Sequence, residues 1–276
     1  MEKPEESSFK SFDQTRLYFK RLRGDPQKPV LIFVHGLNEH SGRYANPIRY
    51  FGKKGYTLCL FDQRGHGKSD GLRSFVGDFS SYVKDLQLFT ELVRKEEKGK
   101  KIFMVGHSMG GQVLINYLAK VKPPVDGFIT SSANIRMALN IPWLKKMLAF
   151  KLSGLFPNLS LPNEIDPKWI SRDTEVVRAY KKDPYVSKNI TLKLAAALMQ
   201  NQEKIMGMAA HIAIPALILH AGDDHICAKE GSAEFFHRLK SDDKDFKIYD
   251  GFYHELFNEY GKEEVFRDME EWMARH

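Results

Sequence analysis

The sequence predicts an α/β domain, a mostly parallel sheet with helices on both faces and a helical insertion near the middle. Three observations predict it. Short apolar runs recur along the 276 residues without alternating with polar positions, as expected of central strands covered on both faces. Amphipathic segments of helical length separate most of these runs, the rhythm of crossover helices joining parallel strands. Between about Ser132 and Ile212 the rhythm stops, and helix-like patterns are punctuated by Pro142, Pro157, Pro162, Pro167 and Pro184.

Taken in order, residues 9–12 and 17–22 read as an opening hairpin with Asp13, Gln14 and Thr15 at its turn. Buried strands follow at 30–34, 56–61, 102–105, 125–130, 214–220 and 246–249. Helices are expected at 45–54, 79–97, 109–121, 229–239 and 262–274. Residues 1–131 and 213–276 therefore form the expected core, and 132–212 a helical cap inserted between two strands. Functional loops should gather at the carboxyl ends of the parallel strands.

Bulk properties narrow the functional class. With 42% hydrophobic and 28% charged residues the chain is ordinary for a globular protein, and it is long enough to enclose a core. Residues 1–11 contain no apolar segment of the kind a secretory signal needs, and no stretch approaches the roughly 20 apolar residues of a spanning helix. The expectation is a cytoplasmic protein. Two cysteines, Cys59 and Cys227, make no disulfide framework. The net charge of +7 is spread along the chain without a basic block interleaved with aromatics, so nucleic acid is not an expected partner.

The chemistry begins at Gly106-His107-Ser108-Met109-Gly110, a G-x-S-x-G pattern that lifts a serine hydroxyl out of a sharp strand-to-helix turn. Gly67-Lys68-Ser69-Asp70-Gly71 also matches, and context separates the two. Ser108 follows a buried strand and opens a helix; Ser69 lies several polar residues past its strand and opens none. Ser69 is read as a turn residue and Ser108 as a nucleophile. Gly67-Lys68-Ser69 is no phosphate loop either, because Asp62 stands where the first glycine is required.

A serine needs a base to take its proton, and the base needs an acid to orient it. His254 lies in the turn after the last strand and comes last in the chain, as the order serine, acid, histidine requires. The other histidines, among them His35, His40, His66, His107 and His220, lack metal-ligand spacing and are read as hydrogen-bonding residues. Ala221-Gly222-Asp223-Asp224 supplies the acid at a strand end, and periodicity does not choose between the two aspartates. The oxyanion of a tetrahedral intermediate would meet the N–H of Met109 at the helix start and that of Leu37 in the loop after residues 30–34.

These segments resemble a known family. Val34-His35-Gly36-Leu37, the stretch Asp62 to Ser69, and Gly106 to Gly111 together are similar to α/β-hydrolases. Glu39-His40-Ser41-Gly42-Arg43-Tyr44 directly after the first is similar to monoacylglycerol lipases and their lysophospholipase-like relatives. The resemblance implies the α/β-hydrolase fold, selects Asp224 as the acid, and implies hydrolysis of a monoacylglycerol or similar lipid ester without metal or cofactor. It also places Glu39 and Arg43 near the glycerol end, although a loop ion pair would account for both equally. Some relatives carry a second histidine three residues after the catalytic one, where this chain has Phe257. Lysophospholipids, other esters or small amides remain alternative substrates, and a non-catalytic binding protein is the remotest reading.

In the expected cap, residues 141–152 combine an apolar face with three lysines. Such a helix would line an acyl pocket or lie in a bilayer interface with Trp143, Leu144, Met147 and Leu148 inserted, giving peripheral membrane contact.

Overall fold

A computed structural model describes residues 3–139 and 143–276. Its centre is an eight-stranded sheet in the order β1-β2-β4-β3-β5-β6-β9-β10. The strands are β1 (Glu5–Lys10), β2 (Arg16–Leu22), β3 (Val30–Val34), β4 (Thr57–Phe61), β5 (Ile102–His107), β6 (Gly127–Ser131), β9 (Ala216–Ala221) and β10 (Lys244–Tyr249). β1 and β2 pair antiparallel, β2 meets β4 antiparallel, and every later pairing is parallel. A mostly parallel sheet with an antiparallel edge is the architecture that the resemblance implies.

The side-chain period of two divides the core. From β3, Val30, Ile32 and Val34 enter one apolar cluster, with Leu86 and Phe89 of α2 (Ser80–Glu96), Val113 and Leu114 of α3 (Met109–Val121), and Phe235 of α7 (Lys229–Arg238). Leu31 and Phe33 point the other way, onto Ile48 and Phe51 of α1 (Ala45–Lys53) and Phe266 and Met269 of α8 (Lys262–Ala274). Both faces of the strand are buried, which is why its sequence is apolar throughout.

The expected elements stand, with two kinds of difference. β1 begins at Glu5 rather than residue 9, because an edge strand is held by its backbone ladder and its side chains stay exposed. β5 runs on to His107, since Gly106 and His107 keep pairing with Thr130 and Ser131 of β6.

Between β6 and β9 lie α4 (Trp143–Leu155), β7 (Ser160–Pro162), α5 (Thr174–Lys182), β8 (Asn189–Thr191) and α6 (Leu192–Ala209). β7 and β8 form a small antiparallel pair that the sequence does not announce, because its residues are largely exposed and carry no apolar pattern. The interval is not uniform. α6 sends Leu194, Leu198, Ile205 and Ala209 into the same cluster as α3. A smaller cluster of Ile170, Tyr180 and Val186 packs on Ile226 and Cys227 of the loop after β9. The side chains of Trp143, Leu144 and Leu148, expected on an interfacial face, lie outside the described residues. Among the described residues no helix is long and apolar enough to cross a membrane.

Candidate active site

Ser108 sits between β5 and α3 with φ 51° and ψ −119°, a conformation an L-residue adopts only under constraint. Glycines make that constraint possible. A Cβ at Gly106 would lie 2.8 Å from the Gly110 carbonyl oxygen, one at Gly111 2.6 Å from the Ala133 Cβ, and one at Gly110 would overlap the Val34 carbonyl. Hydrogen bonds then hold the turn from both sides. The Ser108 N–H donates to the Ser131 carbonyl at 3.1 Å, and the Ser108 carbonyl accepts from Gly111 at 2.9 Å and Asn134 at 3.0 Å. Asn134 is itself fixed, its carbonyl accepting from Gln112 Nε2 at 2.6 Å.

Asp224 follows β9 in a tight loop. Its Oδ1 accepts the backbone N–H groups of Ile226 and Cys227 at 2.8 and 2.9 Å, leaving Oδ2 turned to His254 Nδ1 at 2.7 Å. The neighbouring Asp223 makes no such contact with the imidazole, so the geometry separates two aspartates that periodicity left equal. A second imidazole approaches the same oxygen: His220 Nε2 lies 3.4 Å away, with its Nδ1 at 2.7 Å from Ser232 Oγ. Sequence reasoning gave His220 only a hydrogen-bonding role. The available signal was its place four residues before Asp224, at the end of a buried strand.

The electrostatics follow from this packing. Burial alone would raise the Asp224 carboxyl, but His254 and His220 beside it hold it well below the usual carboxylate range. For His254 burial disfavours the charged ring, and the Asp224 carboxylate outweighs it, so the imidazole stands above its ordinary 6.5. His107, whose ring centroid is 4.8 Å from that of His254, is pushed well down by burial and by that neighbour. Thus one imidazole is poised to accept and hold a proton while the adjacent one stays neutral.

The polar atoms of Cys227, Asp224 and His254 all lie within 4.8 Å of one another. Burial raises the thiol well above its normal value, so Cys227 is a neutral neighbour rather than a thiolate nucleophile. These three groups are close enough to hold a cation, but carboxylate and imidazole are already engaged with each other, a poor donor set for a metal.

The loop after β3 crosses directly beside the serine, for a Cβ at Gly36 would stand 3.1 Å from Ser108 Cβ. The Gly36 N–H is taken by Glu39 Oε1 at 2.5 Å. Among the described residues the N–H groups of Leu37 and Met109 have no hydrogen-bond partner. His35 braces the loop, its Nε2 accepting from the Gln63 N–H at 2.9 Å, and burial holds its ring neutral with a pKa of about 3.

Glu39 and Arg43 form part of a buried charged cluster. Arg43 reaches Glu39 at 3.6 Å and binds both oxygens of Glu255 at 2.8 and 2.6 Å, with its guanidinium over the Tyr180 ring. Tyr44 Oη donates to Glu39 at 3.0 Å. Burial and the nearby Glu255 push the Glu39 carboxyl up to about 7. The cluster borders a cavity of about 10 Å³, also lined by His107 and Phe257. Phe257 is buried against Phe33, Tyr44 and Phe266, so the position where some relatives carry histidine is apolar packing here. Ser69 is a buried turn residue, donating to the Asp62 carbonyl and accepting from the Tyr18 N–H.

Residues 25–261 match the family described as serine aminopeptidase, S33. An uncharacterized abhydrolase domain-containing protein of Dictyostelium discoideum is 36% identical over 89% of this chain, which spans only 26% of that protein. The monoacylglycerol lipase of Mycolicibacterium smegmatis is 31% identical over 91% of this chain and 90% of its own length. Among solved structures, the monoacylglycerol lipase of Paleococcus ferrophilus superposes with a TM-score of 0.85 at 34% identity, covering 94% of this chain and 99% of that one.

Proposed function

Because the chain belongs to the family described as serine aminopeptidase, S33, and matches monoacylglycerol lipases over most of its length, we propose that it is a serine esterase splitting monoacylglycerols into fatty acid and glycerol. In this reading Ser108 is the nucleophile, His254 the base and Asp224 the orienting acid. His254 takes the hydroxyl proton as Ser108 Oγ attacks the ester carbonyl, and the carbonyl oxygen becomes an anion facing the Leu37 and Met109 N–H groups. Collapse of that intermediate breaks the bond to glycerol, which leaves with the proton held by His254. Water, activated by the same imidazole, then frees the fatty acid from Ser108.

Two observations carry the proposal: the 2.7 Å pairing of His254 with Asp224, and a serine held at positive φ where β5 passes into α3. Together they are the arrangement that a group with no reason to be nucleophilic in water requires. An aminopeptidase would need a carboxylate free to receive a substrate's α-ammonium. Apart from Asp224, two buried carboxylates beside the site, Glu39 and Glu255, are both engaged by Arg43, which favours an ester over an amino-terminal amide.

We assign Glu39 and Arg43 to the wall that meets the glycerol end, supported by their place beside His107 and the Gly36 turn. Residues 132–212 are assigned to the cap, with α6 as the part rooted in the core. The exposed side chains of Leu155, Phe156, Leu159 and Leu161 in that interval support peripheral contact with a lipid surface.

The test is a substrate panel: monoacylglycerols, lysophospholipids, di- and triacylglycerols and aminoacyl amides, with the released acid or amine quantified. Fatty acid release fastest from monoacylglycerol supports the assignment. Faster turnover of lysophospholipid or of an amide would replace it.

A further inference from the structure

A second cleft lies by the C-terminal end of the nucleophile helix, away from Ser108. The start of α2, the end of α3 and one face of α6 enclose an open cleft of about 200 Å³, and none of its lining residues belongs to the catalytic group. Lys120, Lys193 and Lys204 border it, with Asp78 the one carboxylate among its lining residues. Ser80, Ser153, Gln200 and Asn201 complete its polar wall.

The charges in this cleft do not balance. Asp78 caps α2, its Oδ1 accepting the Ser80 N–H at 2.7 Å, and no ion pair among the described residues satisfies any of the three ammonium groups. Three positive groups against one carboxylate leave an excess of two. The Lys120 ammonium is disfavoured by burial and then by the charge of Lys204, with Asp78 acting the other way. Evolution of a cleft usually spreads such charges apart or pairs them, since like charges at close range repel.

Lys120 is also held in place. Its Nζ donates to Asn116 Oδ1 at 2.8 Å, Asn116 Nδ2 donates to Asn201 Oδ1 at 2.9 Å, and Asn201 Nδ2 donates to Gln112 Oε1 at 3.0 Å. A lysine fixed by a buried network has already lost much of the side-chain freedom that anion binding would otherwise cost.

We propose that this cleft binds a phosphate-type dianion, with Lys120, Lys193 and Lys204 as its cationic ligands. A dianion cancels the excess charge, whereas a single carboxylate leaves half of it. The ligand's source is either a soluble phosphate compound or the head group of an acidic phospholipid, and the chemistry of recognition is the same for both.

The full-length protein and its Lys193→Met/Lys204→Met variant are titrated with inorganic phosphate, following Tm against sodium chloride of matched ionic strength. Lys204 is exposed and Lys193 half-buried, and Lys204→Glu alone serves as a second variant. The proposal predicts a saturable rise in Tm for the parent protein and a midpoint shifted at least about tenfold in the variants. Flotation with phosphatidylcholine vesicles, with and without phosphatidic acid, then assigns the source. Binding to phosphate alone indicates a soluble ligand, and binding that also needs phosphatidic acid in the vesicle indicates a lipid head group. An equal Tm rise in parent and variants, or no response to phosphate or to acidic vesicles, overturns the proposal.

Discussion

The guanidinium of Arg43 lies 2.6 Å from the carboxylate of Glu255, the residue directly after His254. One ion pair therefore ties the segment after β3, which carries Leu37, to the turn that presents the histidine. The same turn is fastened to the insertion, for the Glu255 N–H donates to the Ile170 carbonyl at 2.8 Å. Two loops distant in sequence are thus held in one register by a buried cation.

Arg43→Ala should destabilise the protein by about 3–5 kcal/mol, because it leaves Glu39 and Glu255 buried without their counter-charge. Urea unfolding measures this. Adding Glu39→Gln to that variant should return part of the loss by removing one of the two stranded acids. A double variant no more stable than Arg43→Ala alone would show that repulsion between the acids is not the cause.

Glu39 also makes stability depend on pH. Its carboxyl is raised from 4.5 to about 7 by burial and then by Glu255, so the folded state binds the proton more tightly than the unfolded chain does. That contribution is complete below about 4.5 and is lost as pH rises through about 7. Glu39→Gln should flatten the stability profile across this window, as read from urea midpoints at a series of pH values.

Asp224→Asn should lower kcat by about 10⁴, since an amide in that place neither selects the imidazole tautomer nor supports its positive charge. Asp223→Asn should stay within a few-fold of the parent. The histidine also predicts the shape of the pH profile. Attack needs a neutral imidazole, and Asp224 holds the His254 pKa above 6.5, so the acid limb of kcat/KM should fall above that value. In Asp224→Asn the residual activity should show that limb displaced to lower pH.

Gly110→Ala should abolish folding to the active form, because the added Cβ would meet the backbone carbonyls of Val34 and His35 rather than a side chain that can turn aside. Circular dichroism and esterase activity should be lost together. Gly154→Ala, where nothing lies within 4 Å of the new Cβ, serves as the control and should change neither.

The core was legible because its physics is periodic. β3 is apolar at every position and β4 at all but Thr57, since both faces are covered, and Met109–Val121 carries its helical register openly. Chain order and strand-end positions single out Ser108 and His254 as candidates, and the family resemblance singles out Asp224; the structure adds the His254–Asp224 hydrogen bond that pattern alone does not show. What the pattern hid was contact between distant segments. Nothing in the sequence around Glu255 indicates that Arg43 will reach it, and the approach of His220 to Asp224 depends on how one loop folds back on its own strand. The β7–β8 pair escaped notice for the opposite reason, being too short and too exposed to bury a pattern.

The central claim is that one hydroxyl becomes acylated during turnover. The most direct measurement is mass spectrometry of peptides from protein quenched during hydrolysis of a monoacylglycerol, or after reaction with a fluorophosphonate. A single adduct on Ser108, absent from Ser108→Ala and strongly reduced in Asp224→Asn, is the result expected. An adduct on Cys227 or another residue, or labelling that persists in Ser108→Ala, would contradict the account.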